Sequence, residues 1–457
     1  MLMKPLFVRS AVPFLLLSAI VHADESPPNI VLIVADDLGY ADLGCYGSEI
    51  NRTPHIDALA KTGVRFTDFH SSGPMCTPTR VSILTGLYQQ RFGPQFDAAL
   101  SGQRHRDQGL PVDARTMAEV LQERNYATAC FGKWHLGYQP PFLPLNQGFE
   151  EFRGLVSGDG DFHTRIDRGG REDWWNGEEI AMEPGYTTEL LTRYSIDFIE
   201  RNKSGERPFF LYLPHLAIHF PWQGPQDPPH RRKGTEYFDD KWGLIPDRAN
   251  VAPHVKAMVE ALDQSVGEIV AALEANGLRE STLLVFTSDN GGYTRYGKDF
   301  RNISSNAPFR GQKGQLYEGG HRVPLIVSWP GKIAEAESDA LTFSADFFPT
   351  FASLSGAGAG EIAGLDGVSL LPLLIDGAPL PERTLFWRMG RNGAVREGPW
   401  KLCLNGNSSP ELYRLDRDPG EGVNLAEAQS AKVDALHSAW KTWNQDVNRS
   451  AETWEKK

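Results

Sequence analysis

Cys76-Thr77-Pro78-Thr79-Arg80 runs directly into Val81-Ser82-Ile83-Leu84-Thr85-Gly86, an order of residue types that puts a cysteine at the start of a helix. Thr77 is suited to cap that helix, Pro78 to its first turn and Gly86 to its stop. A side chain at that end faces unpaired backbone N–H groups and the positive end of the helix dipole, which favours an anion. A reduced cysteine capping an ordinary core helix is the other reading of these residues.

Two further sets of charged residues stand where apolar runs stop. Ile30-Val31-Leu32-Ile33-Val34 leads into Asp36-Asp37, and Leu283-Leu284-Val285-Phe286-Thr287 leads into Asp289-Asn290-Gly291-Gly292. Such runs are expected of parallel strands buried on both faces, and ligands of an α/β sheet gather at the carboxyl ends of its strands. Two such ends bring three carboxylates and an amide oxygen together. Hard oxygen donors without histidine or cysteine suit Ca²⁺ or Mg²⁺ rather than zinc. Capping of the following turns is the competing use of the same residues. Positive charge arrives in the same manner, with Lys133 and His135 after a strand ending at Phe131, and His215 and His219 after one ending at Leu213. Lys313 precedes Glu318-Gly319-Gly320-His321-Arg322-Val323-Pro324 at the start of another apolar run.

The elements that must position these residues alternate along the chain. Strands are expected near residues 30–34, 126–131, 209–213, 283–287 and 323–329, with helices over 54–62, 116–124 and 255–275 between them. The pattern predicts an α/β fold, a mostly parallel sheet between helices. After about residue 374 short strands separated by turns, then a helix over 432–444, predict a smaller α+β subdomain with an antiparallel sheet. The expected division is a segment 1–23, a catalytic domain 24–375 and a C-terminal subdomain 376–457. Two stretches, 159–185 and 222–250, are rich in Gly, Pro and charge and hold Trp174, Trp175, Tyr237, Phe238 and Trp242. Loops this long are usually functional. Their aromatic residues could stack on sugar rings or simply pin the loops to the body.

Composition narrows the partners. The 457-residue chain has a formal charge of -12, which argues against nucleic acid and requires any anion site to be a local concentration of Lys, Arg, His or metal. Lys4 and Arg9, an apolar run over 11–21 and Val21-His22-Ala23 form the pattern of a cleaved export signal, too short for a spanning helix. The expectation is a secreted or periplasmic protein without stable membrane insertion. Cys45, Cys76, Cys130 and Cys403 are too few for a disulfide framework, so stability must come from the core.

Cys76 to Arg80 with the trailing Thr-Gly resembles the C-x-P-x-R signature of the formylglycine-dependent sulfatases, arylsulfatase-like members of the alkaline phosphatase superfamily. The resemblance covers nearly all of the chain after residue 24. It includes Val34-Ala35-Asp36-Asp37-Leu38-Gly39, residues 132–137, 288–292 and 313–324, and the tail Glu411-Leu412-Tyr413, Asp418-Pro419 and Asn424-Leu425. It implies a sulfuric ester hydrolase in which a separate maturation enzyme oxidises Cys76 to formylglycine. It implies Asp36, Asp37, Asp289 and Asn290 as ligands of one ion, Ca²⁺ by preference and Mg²⁺ as the alternative, with the modified Cys76 as an additional ligand. Arg80 and Lys133 would hold the formylglycine and His135 would be its base partner. His219 and Lys313 would contact the sulfate and the leaving oxygen, and Ser157 would help hold the aldehyde hydrate. Relatives often read Ala-Pro-His-x-Pro where this chain has Ala217-Ile218-His219-Phe220-Pro221, so His215 competes for the role of His219.

The chemistry explains the modification. A sulfate monoester repels an attacking anion unless a cation and lysines neutralise its charge. One hydroxyl of the hydrated aldehyde attacks sulfur and the other lets the enzyme release sulfate, which serine or cysteine could not do. The expected substrate is a sulfated small molecule or saccharide. A formylglycine-dependent phosphonate or phosphodiester hydrolase, and an unmodified protein that only binds sulfated glycans, are the alternatives.

Overall fold

The computed structural model describes residues 27–237 and 250–454. The segment read as an export signal lies outside the described residues, as do Phe238 and Trp242. Among the described residues no helix is long and apolar enough to cross a membrane.

The apolar runs form the centre of a ten-stranded sheet. Its strands are β1 (Asn29–Ala35), β2 (Gly63–Phe66), β3 (Ala127–Lys133), β4 (Glu151–Leu155), β5 (Trp175–Asn176), β6 (Glu179–Ile180), β7 (Phe209–Pro214), β8 (Thr282–Ser288), β9 (Leu325–Ser328) and β10 (Ala336–Ser338). They lie in the order β10-β2-β9-β8-β1-β7-β3-β4-β5-β6. The five at the centre, β8, β1, β7, β3 and β4, are mutually parallel. β9 runs against both β8 and β2.

Side chains of β1 alternate between two cores, as a pleated strand buried on both faces requires. Val31 and Ile33 enter the core shared with α4 (Thr187–Arg201) and α5 (Ala252–Ala275), below which α1 (Pro54–Ala60) also packs. Ile30, Leu32 and Val34 enter the core shared with α2 (Cys76–Thr85), α3 (Met117–Glu123) and α6 (Phe347–Leu354). α3 begins as the sequence predicts, with Thr116 and Glu119 in a reciprocal capping box.

α2 departs from the expected start. Its N-cap is Met75, which offers no side-chain bond. Thr77 lies inside the first turn, where its hydroxyl donates to the His135 carbonyl and accepts from the Leu100 N–H. The threonine ties the helix to two loops of the site instead of capping it. Gly86 closes the helix in the left-handed conformation expected of a stop residue.

The C-terminal strands β11 (Thr384–Met389), β12 (Asn392–Glu397), β13 (Trp400–Asn405) and β14 (Glu411–Arg414) form an antiparallel meander. α7 (Ser430–Trp454) packs on it and runs ten residues further than the sequence pattern predicts. That extension carries Val447 and Ala451 into contact-forming buried positions.

The meander docks on the large sheet through buried charge. Lys401 Nζ of β13 lies 2.9 Å from Glu318 Oε1 and 2.9 Å from Glu421 Oε1, and all three side chains are sealed from water. Arg396 spans from Asp68 (2.7 Å) to Glu318 (3.3 Å). Removing one partner of such a group leaves an uncompensated buried charge, which costs about 3–5 kcal/mol. Lys401→Met is therefore expected to lower the thermal midpoint markedly. Lys432→Met, at the partly exposed pair with Glu397, should change stability by less than about 1 kcal/mol. Parallel melts of the two variants check the contrast, and equal melting points would refute it.

Candidate active site

Every central parallel strand delivers a polar residue at its carboxyl end. β1 is followed by Asp36 and Asp37, β8 by Asp289 and Asn290, β3 ends in Lys133 ahead of His135, β7 leads to His219 and β4 leads to Ser157. The register pairs Ala35 with Ser288, so Asp36 and Asp289 emerge side by side. β9 is antiparallel and pairs Leu325 with Thr287, so the segment before it returns to the same edge and brings Lys313 with it.

The three aspartates are buried, and each has its own cation. Lys133 Nζ donates to Asp36 Oδ2 at 2.5 Å and Lys313 Nζ to Asp37 Oδ1 at 2.5 Å. Arg80 donates through Nε and Nη2 to Asp289 Oδ2 at 3.1 and 2.7 Å, and through Nη1 to the Lys133 carbonyl at 2.7 Å. Arg80 thus clamps the end of β3 to the end of β8, and its side chain is fully buried. Burial nevertheless pushes the Asp36 carboxyl up to about 6, against the pull of Lys133. Burial and the neighbouring Asp36 also raise Asp289. Asn290 Nδ2 donates to Asp37 Oδ1 at 2.7 Å, and its own Oδ1 is buried without a donor.

Above these groups lies Cys76. Its Sγ is 3.3 Å from His135 Nδ1, and His135 Nε2 donates to the Leu100 carbonyl at 2.8 Å. That second bond fixes the tautomer, because a carbonyl can only accept: the proton is on Nε2 and the Nδ1 lone pair faces the cysteine side chain. Burial, with Lys133 nearby, lowers the imidazole to about 3, so the ring is neutral at neutral pH. Asp37 (φ 63°) and His135 (φ 56°) both hold the left-handed backbone conformation, which is costly for residues other than glycine. Residue 158 is glycine because a Cβ there would lie 2.4 Å from the His135 ring.

His219 lines the same cavity as Cys76, His135, Ser157 and Lys313. Its Nδ1 donates to the Phe220 carbonyl at 2.8 Å, leaving Nε2 directed toward Asp37 Oδ2 at 3.8 Å. His215, the competitor, points the other way: its Nε2 meets Ser265 of α5 at 3.3 Å and it does not line the cavity. Ser157 is held by its N–H on Asp173 Oδ2 (3.0 Å), and its hydroxyl donates to the Asp159 carbonyl (2.9 Å).

The loop 159–185 walls the cavity, but not through its tryptophans. Trp174 is buried in the core beside α4, with Nε1 on Glu183 at 3.2 Å. Trp175 donates to Asp173 at 2.7 Å, the same carboxylate that holds Ser157. Both pin the loop. The residues it turns to the cavity are Asp159, Asp167, Arg168 and Arg171, and Tyr293 and Tyr296, from the segment after Asn290, line it as well. None of these stood out in the sequence, where charged loop residues read as ordinary surface; the run of arginines in a long loop was the available signal.

The sequence matches the Sulfatase family profile over residues 28–357. It is 34% identical over 447 residues to arylsulfatase A of Homo sapiens, covering 87% of this chain and 83% of that protein. N-acetylgalactosamine-6-sulfatase of Homo sapiens is 31% identical over 457 residues, covering 90% and 84%. The crystal structure of Ps i-CgsB in complex with k-i-k-neocarrahexaose has a TM-score of 0.81 and 30% identity, over 93% of this chain and 94% of that one. A family match over residues 28–357, together with relatives more than 30% identical and covered to more than four fifths of their length, shows the family: the chain belongs to the sulfatase family and is a sulfuric ester hydrolase.

Proposed function

We propose that the chain cleaves sulfate esters of a saccharide, using Cys76 oxidised to formylglycine and one divalent ion, Ca²⁺ by preference or Mg²⁺. The observation that carries this reading is the place of Cys76, buried at a helix N-terminus, 3.3 Å from a histidine lone pair and within 4.8 Å of ligand atoms of the buried carboxylates Asp36 and Asp289.

The donors fit such an ion. Asp36 Oδ1 and Asn290 Oδ1 are buried without a hydrogen-bond partner, an arrangement that native proteins rarely leave unsatisfied. Ligand atoms of Asp36, Cys76 and Asp289 lie within 4.8 Å of one another, as do those of Asp36, Asp37 and His219. Asp36, Asp37, Asp289 and Asn290 would hold the ion, with the modified Cys76 completing an oxygen set. When present, the ion supplies Lewis-acid charge neutralisation and the formylglycine hydrate supplies paired hydroxyls on one carbon.

The chain's own residues supply the rest. Arg80, Lys133 and Lys313 balance the three aspartates one for one, so the residues do not oppose an anionic ester. Lys133 and Lys313 present ammonium groups to the sulfate oxygens. His135 Nδ1 takes a proton from the Cys76-derived side chain, and its bond to Leu100 keeps that lone pair aimed. Lys313, whose ammonium carries the proton, returns it to the leaving oxygen, and His219 borders that oxygen with Nε2. Ser157, braced by Asp173, forms the facing wall, while Arg80 keeps Lys133 and Asp289 in register.

The neocarrahexaose bound by Ps i-CgsB, and the sugar in the name of the N-acetylgalactosamine-6-sulfatases, support a saccharide substrate. The signal-like segment 1–23 supports a secreted or periplasmic enzyme, matured by a formylglycine-generating partner. The large sheet with its helices, 24–375, would be the catalytic domain, and 376–457 its C-terminal subdomain.

Mass spectrometry of the Cys76 peptide from a maturation-competent host should show the thiol replaced by an aldehyde. Cys76→Ser should fold normally and lose turnover of an aryl sulfate; near-normal turnover would sink the mechanism. An aryl phosphonate cleaved faster than the aryl sulfate would favour the phosphonate hydrolase.

Chelation should abolish turnover and lower the melting temperature, and Ca²⁺ should restore both at one ion per chain. At a hundredfold excess over Kd the ion should add about 2.7 kcal/mol. Two zinc ions per chain in elemental analysis would contradict the oxygen-ligand reading.

His219→Ala should reduce kcat by about 100-fold or more. His215→Gln should weaken stability while leaving kcat of the folded enzyme intact. The reverse ranking in steady-state kinetics would reassign the role.

A further inference from the structure

The cavity above Cys76 has a volume of about 300 Å³ and extends well past the residues that face the cleaved sulfate. Its outer wall carries Arg104, Arg106, Arg168 and Arg171 against only two acids, Asp159 and Asp167. Two positive charges are therefore left over, in a chain whose net charge is -12.

The pairing inside the wall sharpens this excess. Asp159 Oδ2 accepts from Arg168 at 3.1 and 3.2 Å and from buried Arg231 at 2.7 Å, so one carboxylate serves two guanidinium groups. Arg171 leans on Asp167 at 3.2 Å. Arg104 and Arg106 are exposed and have no acidic partner among the described residues. Asp107, next in the chain, accepts from Gln139 and does not line the cavity.

Arg168 is also fixed in place. Its guanidinium lies 4.7 Å from the centre of the Phe220 ring, and Phe220 follows His219. A guanidinium held from below by a carboxylate and on one face by a ring loses little freedom when it binds an oxyanion. It keeps N–H donors for a second acceptor, and its side chain is 30% exposed. Tyr293 and Tyr296 line the same cavity, the Tyr293 ring centre 5.4 Å from Lys313 Nζ, and such rings suit the apolar face of a sugar.

We infer that this wall is a second anion subsite: the natural substrate is a saccharide bearing, besides the cleaved sulfate, another sulfate or carboxylate group that Arg168, Arg104 and Arg106 hold. The inference rests on the sulfatase reading above and narrows its substrate class. Sulfate and carboxylate share the geometry that a guanidinium fork recognises, so both belong to the class.

The test compares kcat/KM of the matured enzyme on an aryl sulfate, a monosulfated disaccharide, the same disaccharide with a second sulfate, and the same disaccharide with a uronic acid. The wild type should prefer a doubly anionic disaccharide over the monosulfated one by about tenfold or more, the worth of roughly one hydrogen bond to a charged group. The arm with the larger preference identifies the anion. In R104Q/R106Q and in Arg168→Gln that preference should shrink toward unity, and added salt should erode it in the wild type. Aryl sulfate turnover, still measurable in the variants, reports an intact catalytic centre. Equal rates on singly and doubly anionic disaccharides, or variants that lose every substrate in the same proportion, would overturn the subsite. Failure of the wild type to release sulfate from any of the four would instead overturn the sulfatase reading itself.

Discussion

Three carboxylates can stand side by side out of water only if each meets a cation, and the rest of this structure follows from that requirement. Asp36 has Lys133, Asp37 has Lys313 and Asp289 has Arg80, each at hydrogen-bonding distance. The partners come from different parts of the chain, so the sheet must deliver them to one edge. Parallel pairing of β8, β1, β7 and β3 does most of this, since every strand then ends on the same side. The antiparallel β9 completes it, because only a reversed strand brings its preceding loop, with Lys313, to that side. Burial keeps the charges strong, and it leaves Asp36 Oδ1 and Asn290 Oδ1 as acceptors without donors.

The position of Cys76 is built by a few fixed contacts of the same kind. α2 enters the site through its first residue, and Thr77 ties that turn to the carbonyl of His135 and the N–H of Leu100. The Leu100 carbonyl in turn fixes the tautomer of His135. One loop residue therefore registers the helix and orients the ring that faces Cys76. The left-handed backbone at Asp37 and His135 is the local strain that such convergence demands.

A second buried charge cluster joins the meander to the sheet. Lys401, Glu318, Glu421, Arg396 and Asp68 share it, with His70 and His321 in contact at 3.0 Å between their Nδ1 atoms. Glu318 lies five residues after Lys313, so the docking of the C-terminal strands and the placement of the lysine paired with Asp37 use the same short segment. Packing of the meander is thereby linked to the geometry of the site.

Much of this was legible in the amino-acid order. Apolar runs marked four of the five central strands, and residues after them converge, because burial on both faces imposes a local pattern that needs no partner to be read; β4, with Glu151 and Arg153 in so short a run, was missed. The order of motifs carried the family. Tertiary structure alone separates His215 from His219, since both follow β7 and only the path of the loop turns one toward Ser265 of α5 and the other toward Asp37. It alone made Thr77 a tie between loops, Trp174 and Trp175 anchors, and Arg168 a wall of the cavity. These outcomes depend on contacts between residues far apart in sequence, and such contacts are set by strand order and register, which no local periodicity encodes.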